Sequence, residues 1–218
     1  DRPEPDLMRQ LDLVALATIC DVMPLQGLNR AFVAQGLKIM ARRQRTGLVA
    51  LMEIASVTNA PDAFSCGFAL GPRINAGGRI AEAALGLRLL RCADALQARQ
   101  MAARLDAANR RRPGVEDEIL DRAMLAAAQQ KEAGHGVIVL AGKDWHPGVV
   151  GIVAGRIKEH FNRPALVGAE LDDGSIKGSG RSVAGLDLGS AIIAARQAGL
   201  LKTGGGPAMA AGFSPAAE

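Results

Sequence analysis

Residues 136–182, GVIVLAGKDWHPGVVGIVAGRIKEHFNRPALVGAELDDGSIKGSGRS, decide the fold. Val137-Ile-Val-Leu140 is a short apolar run of strand character, and Gly148 to Phe161 carries apolar residues at helical spacing. Ala165 to Leu171 reads as a second strand, Asp172-Asp-Gly174 as a hairpin turn and Ser175 to Ser182 as a third strand. Further on, Asp187 to Ala198 is helical with Asp187 as its N-cap, and Met209 to Ser214 begins another strand. Strand, helix, strand, strand, helix, strand is a compact α/β module with a mixed sheet.

Upstream the texture is different. From Leu7 to about Leu90 the spacing is helical, with Leu11, Val14, Ala15, Thr18 and Ile19 on one face. Asn29 to Arg43, Gly47 to Ala55 and Ala81 to Leu90 repeat the pattern, with a loop expected around Gly71. Between the halves, residues 94–133 are charged and alanine-rich, and suit one long helix or two. Proline inside a helix removes a hydrogen bond and costs about 3 kcal/mol, so a kink or break is expected at Arg112-Pro113-Gly114. The expected organisation is a helical part at 1–93, a connecting helix at 94–134 and the α/β module at 135–218.

The 218 residues are enough for one large domain or two small ones. A net charge of +4 is compatible with a basic groove but too mild to demonstrate nucleic-acid binding. Aromatic residues are only 3%, so a ligand held mainly by stacking bases on rings is disfavoured. Cys20, Cys66 and Cys92 lie far apart without metal-ligand spacing, and read as reduced thiols of a cytoplasmic protein. No apolar run approaches membrane-spanning length. Beginning at Asp1 without Met and ending just after a strand starts, the chain reads as a piece of something longer.

Three segments pair glycine with cations: Gly71-Pro-Arg-Ile-Asn-Ala-Gly-Gly-Arg79, Lys177-Gly-Ser-Gly-Arg-Ser182 and Lys202-Thr-Gly-Gly-Gly206. Glycine lets backbone N–H groups approach a ligand, and a guanidinium suits the paired oxygens of a phosphate. Each segment alone also fits an ordinary turn. Together they point to a polyanion held through its phosphates.

Five motifs occur in order: Leu13-Val-Ala-Leu-Ala-Thr-Ile-Cys-Asp-Val-Met-Pro-Leu25, the Gly71–Arg79 segment, Trp145-His-Pro-Gly-Val-Val-Gly-Ile-Val-Ala154, Gly178-Ser-Gly-Arg-Ser182 and Gly204-Gly-Gly-Pro-Ala-Met-Ala-Ala-Gly212. In these motifs the chain resembles the RecJ branch of the DHH phosphoesterases, bacterial exonucleases that degrade single-stranded DNA 5′ to 3′ in repair and recombination. The resemblance implies a helical tail of a DHH domain, a connecting helix and a DHH-associated nucleic-acid-binding domain, arranged around a central cleft. It also implies manganese or magnesium as cofactor and single-stranded DNA as partner. A single-strand-binding protein or helicase partner is not readable from the residues. Two departures stand out. The aspartate-rich metal motifs and the Asp-His-His that names the superfamily are absent, and Gly205-Gly206-Pro207 replaces the usual Gly-Gly-His.

Site residues follow from that likeness. Asp21 reads as a helix-end residue by itself; the resemblance makes it a metal ligand and, with Arg79, a catalytic candidate. Arg73, Asn75 and Arg79 would contact a phosphate, or the arginines would pair with local carboxylates such as Glu82. Ser179, Arg181 and Ser182 would bind phosphate at the end of a strand, with Gly205 and Gly206 supplying backbone donors. His146 would touch the nucleic-acid backbone, and Trp145 would stack on a base or close the core. Arg112 would face DNA if the long helix lines the cleft; otherwise Glu116 answers it. Two further readings remain open: a DHH phosphoesterase for oligoribonucleotides or cyclic dinucleotides, and a non-catalytic nucleic-acid-binding module. Holding one matching carboxylate, the chain by itself is expected to be inactive.

Overall fold

The computed structural model describes residues 6–216. The chain divides inside one long helix, the first unit running to Arg111 and the second starting at Arg112. In the first unit a 3-10 turn (Leu7–Gln10) leads into α1 (Leu11–Cys20), α2 (Gly27–Ala41) and α3 (Thr46–Ile54). A π-helical turn (Ser65–Leu70), α4 (Gly71–Ile80), α5 (Leu85–Arg91) and the first part of α6 (Ala95–Glu132) follow. Their apolar faces meet in one core around Leu16, Met40, Leu51, Leu70, Leu89 and Leu105. A buried Asp12 is answered by the Arg45 guanidinium, Nε to Oδ2 at 2.7 Å.

The segment expected as a loop at Gly71 is helix α4. Pro72 lies in its first turn, where the π-helical turn Ser65–Leu70 runs straight into α4. Its glycines serve packing. A Cβ on Gly71 would stand 2.5 Å from the Cys20 sulfur, and one on Gly77 would stand 2.8 Å from Cδ2 of Leu105. Helix α6 likewise runs unbroken through Pro113. One lost hydrogen bond is a small defect in 38 residues. Ion pairs one turn apart flank it, Arg110 to Asp106 at 2.8 Å and Arg112 to Glu116 at 3.0 Å.

The second unit is an α/β layer structure. Its strands are β1 (Ile138–Lys143), β2 (Ala165–Glu170), β3 (Ile176–Arg181), β4 (Leu201–Gly205) and β5 (Ala210–Pro215), with α7 (Val150–Phe161) and α8 (Leu188–Gln197) between them. The sheet order is β1-β2-β3-β5-β4; β1 and β2 are parallel and the other pairs antiparallel. This is the mixed sheet the sequence implies, with one strand more. The Lys202–Gly206 segment, which the sequence marks only as a glycine-cation signal, supplies most of edge strand β4.

Side chains alternate across a strand. On β3, Ser179 and Arg181 face the first turn of α7 at Gly151, while a Cβ on Gly180 would meet Leu188 of α8 at 2.7 Å. The two helices therefore cover opposite faces of the sheet. Gly178 leaves room for the Phe213 ring, which a Cβ there would meet at 2.1 Å. The N-cap expected for α8 is in place, with the Asp187 carboxylate accepting from the Ser190 N–H at 2.9 Å. Among the described residues, no helix is long and apolar enough to cross a membrane.

Candidate nucleic-acid interface

Helix α1 ends in a turn that fixes Asp21. The N–H of Met23 donates to the Thr18 carbonyl and that of Val22 to the Ile19 carbonyl, both at 3.1 Å. This is a Schellman ending, whose left-handed position normally belongs to glycine. Here it is Val22, at φ 55°. A β-branched residue in that region stores about 1–3 kcal/mol of strain, a cost that clusters at functional positions. Asp21 sits at the C-cap, against the negative end of the helix dipole. A carboxylate placed there favours a cation beside it.

That cation is close at hand. Asp21 lines an open cleft of about 590 Å³ together with Ala17, Cys20, Asn75, Gly78 and Arg79. Asn75, Gly78 and Arg79 are spaced i, i+3 and i+4, so helix α4 presents them on one face. The loop expected here is corrected to a helix, and it is the helical spacing that brings two of the proposed phosphate contacts, Asn75 and Arg79, together with Gly78. Asn75 and Gly78 are exposed and Arg79 is half-buried. Nothing lies within 4 Å of a Cβ added at Gly78, so a ligand has access to the backbone there.

Arg73 goes elsewhere. Its Nε donates to Oδ1 of Asp106 at 2.9 Å and its Nη1 to the Ala69 carbonyl at 2.7 Å. With its side chain 17% exposed, it braces α4 against α6 rather than lining the cleft. Arg112 is also engaged, donating from Nη1 to Oε2 of the buried Glu116. Glu82, named above as a local carboxylate, pairs with Arg88 and Arg104.

In the second unit, Arg181 and Ser179 form one group. Nη1 of Arg181 donates to Oγ of Ser179 at 2.9 Å and to the Gly180 carbonyl at 2.8 Å. Both side chains crowd Gly151, where an added Cβ would stand 2.9 Å from Ser179 Oγ and 3.1 Å from Arg181 Nη2. Gly151 opens the first turn of α7, whose N-cap, Val149, offers no side-chain acceptor. A guanidinium over the positive end of an uncapped helix is electrostatically costly by itself and favourable once an anion bridges the two. Gly151 lies inside the quoted Trp145–Ala154 motif; the signal for its role was a small residue at the opening of a helix beside a cationic strand.

The remaining candidates are placed differently. Ser182 is 1% exposed and its hydroxyl donates to the Leu186 carbonyl at 2.8 Å, which ties down the loop before α8. Gly205 pairs with Gly212 in the β4–β5 ladder. Gly206 lets the chain pass close to Ala210, whose oxygen a Cβ would meet at 2.2 Å. Trp145 is 6% exposed and lies on Gly142 of β1, so it closes the core instead of stacking on a base. His146 accepts from the Gly148 N–H at Nδ1, 3.0 Å, which leaves Nε2 to carry the proton of the neutral ring. It shares a cleft with Asp144, Glu170, Asp172 and Asp173, surroundings that repel a phosphate.

Among the described residues there is no group of three or more His, Cys, Asp or Glu placed to hold a metal ion. Asp21 is a single donor, and a divalent ion takes several oxygen ligands. The described residues therefore do not make a complete metal site.

Residues 134–218 match the DHHA1 domain family. Over 97% of its length the chain is 45% identical to the single-stranded-DNA-specific exonuclease RecJ of Dickeya dadantii, of which it covers 38%. It is 41% identical over 96% of its length to the protein of the same name from Escherichia coli, again covering 38%. The chain thus spans little more than a third of these relatives. Among solved structures, RecJ of Thermus thermophilus in complex with Mn2+ superposes with a TM-score of 0.82 at 37% identity, over 97% of this chain and 31% of that one. The same protein in complex with Mg2+ gives 0.81 at 36% identity, over 97% and 32%. Residues 134–218 thus form a DHHA1 domain, and over nearly all of its length the chain is similar, in sequence and in fold, to part of the RecJ proteins.

Proposed function

We propose that the chain is part of a metal-dependent exonuclease that hydrolyses phosphodiester bonds of single-stranded DNA, 5′ to 3′, in DNA repair and recombination. The observation that carries the reading is the cleft where Asp21, Asn75, Gly78 and Arg79 meet. Arg79 and Asn75 supply N–H donors to the oxygens of a phosphate, and Gly78 lets the strand approach the backbone. Asp21 is the carboxylate available to a divalent ion, manganese or magnesium, which would supply an activated water and charge neutralisation when bound. In the DHHA1 unit, Arg181, Ser179 and the amino end of α7 hold another backbone phosphate. These contacts read no bases, so the grip is independent of sequence.

The competing reading is a phosphoesterase for short oligoribonucleotides or cyclic dinucleotides. Incubating the whole protein and manganese with long single-stranded DNA, and separately with di- to tetraribonucleotides, separates the two. Progressive loss of the long strand supports the exonuclease; turnover confined to the short ribonucleotides overturns it.

A further inference from the structure

Helix α6 carries its weakest stretch where the chain divides. The two units part between Arg111 and Arg112, inside the helix, and Pro113 follows at once. Proline has no N–H, so the carbonyl of Asn109, four residues earlier, has no donor within the helix. Gly114 comes next, and proline and glycine are the two poorest helix formers. Among the described residues nothing lies within 4 Å of a Cβ added at Gly114, so no close packing calls for a glycine there.

Packing does not make up the loss. Ala98, Ala102, Leu105 and Ala108 are buried before the proline, and Ile119, Ala123 and Ala127 after it. Among the described residues between Ala108 and Ile119, Glu116 alone is buried, and Pro113 and Gly114 are exposed. The ion pair of Arg112 with Glu116 spans the proline, but a pair one turn apart offsets only a small part of its cost. The Asn109 side chain adds a further sign, since its Oδ1 is buried with no hydrogen-bond partner among the described residues. Asparagine side chains bond backbone N–H groups in non-helical conformations. This oxygen is therefore an acceptor for an amide that α6 releases on opening.

We propose that residues 109–114 are a hinge in α6, about which the two units reorient as rigid bodies. Arg79 belongs to the first unit and Arg181 to the second, so the hinge angle sets the separation of these two proposed phosphate contacts. A strand held by both fixes that angle. The hinge stands on α6 alone; its use in gripping a strand rests on the nucleic-acid-binding reading.

The test measures the distance between the units in the 218-residue chain by double electron–electron resonance. Nitroxides are carried on p-acetylphenylalanine in place of Lys38 of α2 and Gln197 of α8, both exposed and outside the proposed contacts. The double variant Pro113→Ala/Gly114→Ala restores the hydrogen bond to the Asn109 carbonyl, and is expected to narrow the distance distribution by about half. Hydrogen exchange of the amides from Val115 to Asp117 is expected to slow at least about tenfold in the same variant, with the rest of α6 unchanged. Equal distributions in the two proteins overturn the hinge, even where exchange differs, because α6 then frays locally without moving the units. Oligothymidylate in EDTA at low salt is expected to narrow the wild-type distribution toward that of the variant. If the oligonucleotide binds and the wild-type distribution stays wide, the hinge holds and its use in gripping a strand fails. If no oligonucleotide binds, the nucleic-acid-binding reading fails instead.

Discussion

Nε of Arg73 donates to Oδ1 of Asp106 at 2.9 Å, and the same carboxylate takes Arg110 through its other oxygen at 2.8 Å. This pairing separates the two arginines of the Gly71–Arg79 segment. Arg73 is committed to joining α4 to α6, and Arg79 lies on the face of α4 that lines the cleft. Removing Arg73 takes one of two cationic donors from the buried Asp106 carboxylate and leaves Arg110 on the other oxygen, a loss of about 1–3 kcal/mol. Arg73→Gln is therefore expected to lower the unfolding free energy in urea by that order, whereas Arg79→Gln is expected to weaken binding of single-stranded DNA. Wild-type binding by Arg79→Gln would remove the distinction.

Arg181 is expected to act through charge alone. Arg181→Ala should weaken single-strand binding to a similar extent for oligothymidylate, oligoadenylate and mixed sequences, and reduce the slope of log affinity against log salt by roughly 0.7. Anisotropy titrations at several salt concentrations measure both quantities. A loss confined to one base composition would make Arg181 a base reader instead.

Burial, with smaller contributions from Cys20 and Asp62, pushes the Cys66 thiol up to about 12. The thiolate is the reactive form, so iodoacetamide at pH 8 should leave Cys66 unmodified in the folded protein and label it in urea, as read by peptide mass spectrometry. The sign of the stability linkage follows. Because the folded value is raised above the ordinary 9.0, stability from the neutral thiol is complete below that value and is lost as pH climbs toward 12.

At the acid end the relevant group is Asp187. Its bonds from the Ser190 N–H and hydroxyl hold its carboxyl below the ordinary 3.8. A depressed folded value means stability present above 3.8 and lost as pH falls through the lower folded value. Asp187→Ala should be less stable than wild type to urea at pH 7, and the gap should narrow as the pH falls below the ordinary 3.8 and through the lower folded value. A gap independent of pH would assign the cap's contribution to something other than its charge.

Much of the second unit was legible because its signals are local. An apolar β-branched run, a turn with glycine at a left-handed position (Gly174, φ 76°) and a capping aspartate each act within a few residues. What escaped depended on distant partners. The glycines of the Gly71–Arg79 segment read as a loop, yet Gly71 and Gly77 are small because Cys20 and Leu105 press on the helix there. Strand β4 (Leu201–Gly205) was hidden because its glycines and lysine carry no strand preference, and pairing with β5 organises it. Asp21 and Arg79 could be named from motifs. That Arg73 would be taken by Asp106, 33 residues away, was not visible in the spacing.

The central claim is that this chain grips a single-stranded phosphate backbone while its own residues hold at most part of a metal centre. The most direct measurement mixes the 218-residue chain with 3′-labelled single-stranded DNA and manganese, then reads anisotropy and cleavage products from the same sample. The expected result is binding that weakens steeply with salt and no shortened product. Absence of binding at low salt, or efficient cleavage by a clean preparation, would contradict it.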